Sequence, residues 1–144
     1  MLAADAIDAA STTPVASLVP EARRSVFLPE LFGPKLFFIA ENNVYNFMQR
    51  LSPDYRGGFW NFLEYREKPL YLAPTSAPHY RIVCRTNGYE GEVSADAAGI
   101  IATLFTFSHL SFDHPVDHLS EGFERLHDYA SDHPEAAQIY SAID

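Results

Sequence analysis

The stretch NGYEGEVSADAAGIIATLFTFSHL, residues 87–110, decides the fold. It predicts a β-hairpin that runs directly into a long buried helix. Asn87 and Gly88 form the preferred pair for a type I′ turn, because both central residues of that turn take positive φ angles. The segments on either side, residues 80–86 and 89–93, are therefore predicted to pair as antiparallel strands.

A helix over residues 95–110 is predicted to follow the hairpin without a break. The hydroxyl of Ser94 can accept a hydrogen bond from a free N–H group of the first turn, and Asp96 faces the positive end of the helix dipole. Apart from Asp96, Gly99 and two threonines, every residue from 95 to 107 is apolar. A helix with so little polar surface is expected to be buried on nearly all sides. We therefore assign structural roles to Ser94 and Gly99, as to the two turn residues.

The predicted two-residue turn also fixes which hairpin residues share a face. It places Arg85 opposite Glu90 and Val83 opposite Glu92. One face is then charged and exposed to solvent, carrying Arg81, Arg85, Glu90 and Glu92. The other face is expected to pack on the helix, with Tyr80, Ile82, Cys84, Tyr89 and Val93.

The remaining elements follow from hydrophobic periodicity and from turn residues. Two more strands, at 59–65 and 70–73, are predicted to complete a four-stranded antiparallel meander. Additional N- and C-terminal helices are predicted at 41–51, 116–131 and 134–143. Residues 35–40 are interpreted as an extended core segment, because Pro29, Gly33 and Pro34 interrupt any helix before them. The predicted fold class is α+β, with the meander packed against the buried central helix.

Length and composition suit one globular domain, since the chain has 144 residues and is 47% hydrophobic. Residues 1–20 show no periodicity and lack the basic region of a signal peptide, so we predict a flexible leader followed by a single domain at 21–144. Cys84 is the single cysteine and excludes an internal disulfide. No apolar run reaches the roughly 20 residues of a membrane span. We expect a cytoplasmic monomer with no membrane partner.

The net charge of −9 is concentrated in the C-terminal third of the chain. Residues 113–144 hold eight acidic residues and one basic residue. Lysine and arginine form no run longer than Arg23-Arg24, whereas a nucleic-acid-binding surface needs clustered basic residues. A stand-alone nucleic-acid-binding module is therefore kept only as an alternative, and no stable DNA binding is expected.

No recognised catalytic motif occurs, so no catalytic or cofactor-binding residue is assigned. Histidines and carboxylates do cluster between residues 109 and 133, and such side chains can bind metal. A metal-dependent hydrolase is therefore the other alternative. Its spacing matches no known site, because His114-x-x-x-His118 lacks the glutamate of HExxH and His114 is expected at a helix cap. Exposed or capping histidines are favoured, and no metal ligand is assigned.

Five segments taken together resemble the ArdB/KlcA antirestriction family: LFGPKLFF (31–38), YRGGFWNF (55–62), YLAP (71–74), NGYEGEVSADAAGIIATLF (87–105) and HPEAAQIYSAID (133–144). The SADAAGI-ATLF block is the most diagnostic of them. The resemblance implies a small α+β protein, typically encoded on plasmids and other mobile elements, that protects incoming DNA from type I restriction enzymes. It implies no enzymatic activity and no cofactor. Residues 1–20 and 108–118 depart most from the family pattern.

Charge tests one mechanism that antirestriction suggests, which is mimicry of DNA. A globule of this length is roughly 37 Å across, and B-DNA of that length carries about 22 negative charges. The chain has a net charge of only −9, so wholesale mimicry is disfavoured. We predict contact with a type I restriction-modification enzyme, direct or indirect, through the exposed hairpin face and the acidic C-terminal face. The predicted contact residues are Arg85, Glu90, Glu92, Asp96 and Asp144.

Overall fold

The computed structural model describes residues 15–144 and shows an α+β fold built around one long central helix. In chain order its elements are β1 (Ser17–Leu18), a short 3-10 helix (Glu21–Arg23), α1 (Arg24–Phe32), α2 (Phe37–Leu51), β2 (Trp60–Tyr65), β3 (Lys68–Pro74), β4 (His79–Cys84), β5 (Tyr89–Ser94), α3 (Ala95–Asp113), α4 (Asp117–Ala130) and α5 (Ala136–Ile143). The predicted α+β class is confirmed, with the boundaries of most elements moved by a few residues.

The central helix α3 is buried along most of its length, as predicted. Among its buried residues are two threonines: Thr106 donates to the carbonyl of Ala102, and Thr103 accepts from the N–H of Leu72 at 3.4 Å. By length and composition alone α3 could cross a membrane, but most of it lies inside the fold, as is typical of a core helix. Ser94 caps it by accepting from the Ala97 N–H at 3.1 Å.

The strands form two antiparallel sheets, so the predicted single four-stranded meander is wrong. β1, β2 and β3 form one sheet in that order, and β4 and β5 form a separate hairpin. The free edge of β3 is covered by α3, because the Leu72 N–H bonds to Thr103 and the Leu72 carbonyl lies under Gly99. The prolines at 69 and 74 add no N–H donors to that edge. Strand β4 therefore cannot form backbone hydrogen bonds with the edge of β3 and pairs only with β5.

The β4–β5 hairpin has a different turn from the predicted one. Cys84 pairs with Tyr89, so the loop has four residues and not two. The loop closes through a 2.9 Å hydrogen bond from the Gly88 N–H to the Cys84 carbonyl, and Gly88 alone among the loop residues takes a positive φ, 78°. Asn87 does not, which excludes a type I′ turn.

The wrong turn shifts the predicted pairing by two residues but leaves the two faces unchanged. Glu90 lies opposite Val83, and Glu92 lies opposite Arg81. Because side chains alternate with a period of two, a shift of two residues keeps each side chain on its face. The exposed face therefore carries the predicted charges, and Tyr80, Ile82 and Val93 are buried beneath it.

A turn with two positive φ angles does occur, but between β2 and β3. Arg66 (φ 53°) and Glu67 (φ 64°) connect the paired residues Tyr65 and Lys68. Neither is the glycine or asparagine that favours this geometry, so their identities gave no signal of it.

The segment before residue 41 is more helical than predicted. Helix α1 contains Pro29, and α2 begins at Phe37, so the extended segment predicted at 35–40 is wrong. Pro29 removes only one N–H donor, and burial of four large side chains outweighs that loss. These side chains are Phe27, Leu28, Leu31 and Phe32. Gly33, with φ 92°, ends the helix.

The domain begins earlier than residue 21. Ser17 and Leu18 pair with β2, and the Val19 side chain is buried. The Ala16 N–H donates to the Tyr129 hydroxyl at 2.9 Å, and the Val19 N–H donates to the Phe62 carbonyl at the same distance. The rest of the predicted leader, residues 1–14, lies outside the described residues.

Candidate partner-binding surface

The residues predicted to contact a partner lie around the β4–β5 hairpin and α5. Arg85 is exposed in the hairpin loop, and Glu90 and Glu92 are exposed on the outer face of β5. Asp96 lies in the first turn of α3, and Asp144 is exposed after the end of α5. The hairpin and α5 are joined at two points.

The first junction is at the hairpin loop. Asn87 Nδ2 donates to the carbonyl of Ala142 at 2.9 Å and to that of Ser141 at 3.3 Å. These carbonyls belong to the last turn of α5, where no intrahelical N–H is left to bind them. Asn87 Oδ1 accepts from the Tyr89 N–H at 2.9 Å. The loop that carries Arg85 is thereby fixed beside the C-terminal end of α5.

The second junction joins the start of α3 to the start of α5. Asp96 Oδ1 accepts from the Tyr71 hydroxyl at 2.6 Å, and its Oδ2 accepts from His133 Nε2 at 2.8 Å. His133 Nδ1 accepts from the Glu135 N–H at 2.9 Å, so the imidazole proton lies on Nε2. The Glu135 carboxylate accepts from the N–H of Ser94 at 2.9 Å and from its hydroxyl.

The groups of this network are hydrogen-bonded to one another. Both nitrogens of His133 are occupied, and its side chain is only 8% exposed. Burial, reinforced by the Asp96 carboxylate, raises the pKa of Tyr71 far above its ordinary value, so the phenol stays a neutral donor. Both Asp96 oxygens already have partners within the fold. The network therefore fixes α5 against the hairpin.

The outer face of the hairpin offers charges that are less engaged. Arg81 and Glu90 form an ion pair of 2.8 Å, but both side chains are more than half exposed, so the pair contributes little to stability. Arg85 and Glu92 form no hydrogen bond or ion pair through their side chains with any residue from 15 to 144. These two side chains are free to contact a partner.

A second charged surface covers α4. Asp117, Glu121, Glu124 and Asp128 repeat at three- and four-residue intervals and are all exposed, so they form one acidic face of this helix. We call these four residues the α4 acidic face. Only Arg125 interrupts it, and its guanidinium is directed to the Pro69 carbonyl at 2.9 Å.

The histidines do not converge. His118 Nε2 contacts the Glu30 carbonyl at 2.8 Å, His127 packs on Tyr140 with ring centres 4.8 Å apart, and His133 binds Asp96. Among the described residues no three His, Cys, Asp or Glu side chains are placed to hold a metal ion. The cluster in the sequence is spread over the end of α3, along α4 and before α5. A metal-dependent hydrolase has no donor set in this part of the chain.

Sequence reasoning did not identify Tyr71, His133 and Glu135 as parts of this region. They come from two segments, β3 and the start of α5, that are distant in sequence, and only the fold brings them to Ser94 and Asp96. One local signal exists, since His133-Pro134-Glu135 is typical of a helix start and such starts gather polar groups.

Comparison with known proteins gives a consistent result. Residues 53–144 match the family model described as antirestriction protein. The antirestriction protein KlcA of Escherichia coli is 44% identical over 133 residues, which cover 90% of this chain and 94% of the relative. A putative antirestriction protein, YubI, of Escherichia coli strain K12 is 36% identical over 138 residues, or 91% of this chain and 96% of the relative.

Solved structures are similar as well, and we describe one of them. It has a TM-score of 0.81 and 43% sequence identity and covers 90% of this chain and 94% of its own. The work on that structure concerns the KlcA and ArdB proteins and describes a novel fold, with antirestriction activity against type I DNA restriction systems in vivo but not in vitro.

Proposed function

Because this chain belongs to the antirestriction protein family, we propose that it relieves type I restriction of incoming DNA without chemically altering that DNA. One observation carries this proposal: the chain aligns over 90% of its length, at 43% identity and a TM-score of 0.81, with a protein whose activity is directed against type I systems. At this identity and coverage the two proteins share their fold.

The site geometry supports a non-enzymatic mode of action. In the described part of the chain, the one histidine–carboxylate pair is that of His133 and Asp96, and both imidazole nitrogens of His133 already have hydrogen-bond partners. No group of side chains there is placed to bind a metal ion. Catalysis needs a base or nucleophile that can reach a substrate. The arrangement instead presents exposed charges on a rigid surface, as a binding protein does.

The activity of the solved relative in vivo but not in vitro bears on how this protein works. A protein that blocked a restriction enzyme by tight one-to-one binding would act in a purified reaction as well. We therefore propose that the protein needs a further cellular component, or a step of restriction that occurs only in the cell.

The α4 acidic face and the free charges Arg85 and Glu92 are the proposed contact surface, together with Asp144. With a net charge of −9, compared with about 22 for DNA of the same length, the protein cannot replace a duplex along its whole length. A compact acidic face can steer one basic patch of a partner and fix its orientation. Asp96 then supports this surface from within, through its bonds to Tyr71 and His133.

The test is plating of unmodified phage on cells that carry a type I restriction system, with and without the protein. We expect the protein to raise plating efficiency on this host and to have no effect on a host with a type II system. Equal plating on the type I host, with the folded protein present, would refute the proposed function. Relief on both hosts would point to an effect on DNA and exclude the proposed target.

A matched pair of variants tests the surface. Glu121→Gln, Glu124→Gln and Asp128→Asn together remove three charges from the α4 acidic face, and we expect relief of restriction to be lost. Glu21→Gln, Glu30→Gln and Glu67→Gln remove the same charge from exposed positions elsewhere and should retain it. Equal activity of the two triple variants would exclude the α4 acidic face.

A further inference from the structure

A cavity of about 260 Å³ lies between α2, α3 and the β4–β5 loop. Its wall is aromatic, formed by Phe47 and Phe105, whose rings are stacked with centres 5.5 Å apart. Val83 and Cys84 also line it. The cavity is thus an apolar recess on a protein surface that is otherwise rich in carboxylates.

Two arginines line the same cavity. Arg50 and Arg85 are exposed, and neither guanidinium has a hydrogen bond or an ion pair with a side chain or carbonyl of residues 15–144. Arg50 lies over the Phe47 ring at 4.7 Å, which orients its guanidinium along the cavity wall. The carboxylate nearest in sequence to Arg85, that of Glu90, is engaged by Arg81. Two positive charges therefore flank an apolar recess, and no carboxylate of residues 15–144 pairs with either of them.

The size of the cavity limits what can enter it. Sites for cofactors and drug-sized ligands range from about 300 to 1,000 Å³, and this one is smaller. It suits one side chain, in the way that a partner protein places an aromatic or aliphatic anchor in a pocket at the centre of an interface. Guanidinium groups bind carboxylates in a planar, two-bond geometry, which selects acidic neighbours for that anchor.

We infer that this cavity binds an acidic segment of a protein partner, in which one aromatic or aliphatic side chain enters the cavity and packs against Phe47 and Phe105, while flanking carboxylates bind Arg50 and Arg85. The cavity shares Arg85 with the contact surface proposed above. Binding is measured on the pure protein, so failure of this inference and failure of the antirestriction function are separate observations.

The experiment titrates the isotope-labelled full chain with acetyl-Glu-Phe-Glu-amide and follows the backbone amide signals by NMR. We expect saturable shifts confined to the amides around the cavity. Acetyl-Lys-Phe-Lys-amide should produce none, because it reverses the charge, and acetyl-Glu-Ala-Glu-amide should bind far more weakly, because it lacks the anchor. The two comparisons separate the charge from the apolar contact.

Variants connect the binding to the arginines. Arg50→Gln and Arg85→Gln should each weaken peptide binding about fivefold, the size of one exposed ion pair. Both side chains are exposed and make no hydrogen bond, so the variants keep the fold, which their amide spectra verify. Lys68→Gln removes the same charge from an exposed position outside the cavity and should bind normally.

Three results of the peptide titrations would overturn the inference. These are the absence of any saturable shift up to the solubility limit of the acidic peptide, equal shifts with the lysine peptide, and unchanged affinity when both arginines are replaced. Tighter binding of a short thymidine oligonucleotide at the same amides would also overturn it, in favour of a phosphate ligand.

Discussion

Gly99 lies where the central helix contacts the backbone of β3. A Cβ atom at this position would lie 2.2 Å from the Leu72 carbonyl oxygen and 2.5 Å from the Ala73 Cα. In an ordinary helix interior, replacing glycine by alanine stabilises by about 1 kcal/mol. Here the obstacle is backbone that cannot move aside, so we expect Gly99→Ala to destabilise the protein by at least about 2 kcal/mol in urea unfolding.

The control for Gly99 is Gly91→Ala on β5. There the added Cβ would meet only the outer atoms of the Tyr89 side chain, which can rotate away. We expect a smaller loss of stability than for Gly99→Ala. An increase in stability for Gly99→Ala would contradict the close packing of α3 on β3.

Tyr71 makes the free energy of unfolding depend on pH in the alkaline range. Burial, followed by the Asp96 carboxylate, raises the pKa of Tyr71 in the folded protein, whereas in the unfolded chain it ionises near pH 10. A raised native pKa contributes stability that is complete below about pH 10 and is lost as the pH rises further. We expect Tyr71→Phe to reduce the slope of unfolding free energy above pH 10 by up to about 1.4 kcal/mol per pH unit.

Urea midpoints measured across that pH range test the contribution of Tyr71. At neutral pH the same variant should be less stable by about 1 kcal/mol, since its hydrogen bond to Asp96 is lost. Tyr129 also has a raised pKa, chiefly through burial, so some slope should remain. Identical slopes for the two proteins would contradict the assignment.

At the scale of elements, the central helix was predictable and the sheet was not. Helix α3 follows from a continuous apolar run with a cap at Ser94, and both are local signals. The division of the strands depends on contacts between distant residues, since Leu72 is 31 positions from the Thr103 that binds its N–H. Residues 35–40 were mispredicted because Pro34 lies before α2 and does not interrupt it, and because the buried side of α2 begins only at Ala40.

Asn87 connects two of these elements. Its side chain binds two carbonyls of α5 and the N–H of Tyr89, whereas the sequence predicted only a backbone role in a tight turn. We expect Asn87→Ala to destabilise by about 1–2 kcal/mol, because these hydrogen bonds are lost. Asn87→Gly should cost as much, and thermal unfolding measures both.

The glycine variant decides between the two roles of Asn87. If a positive φ were its function, glycine would replace it without loss or with a gain. Gly88→Ala is the reverse control, since Gly88 takes a φ of 78° and an alanine there should cost about 1 kcal/mol. A stable Asn87→Gly variant would show that the junction with α5 contributes nothing.

For the whole molecule, the sequence identified the family more readily than the surface. Five matching segments in order extend over most of the domain, so the resemblance does not depend on any one contact. The candidate surface depends on how distant elements pack together in the fold. Arg50 and Arg85 are 35 positions apart in the sequence and line one cavity only because α2 packs beside the β4–β5 loop. The sequence shows which positions carry charge, but it did not predict the hydrogen-bond partners of Asp96 or the ion-pair partner of Arg81.

The N-terminal boundary is also a property of the whole molecule, and two truncations test it. Composition predicted a flexible leader at 1–20, but Ala16 and Val19 contact Tyr129 and Phe62, and the Val19 side chain is buried. Deleting residues 2–20 removes these contacts and β1, so we expect a loss of at least about 2 kcal/mol, the burial energy of one aliphatic side chain. Deleting residues 2–14 keeps them, and both stability and relief of type I restriction should be retained. Equal stability of the two truncated proteins would show that β1 does not contribute to the fold.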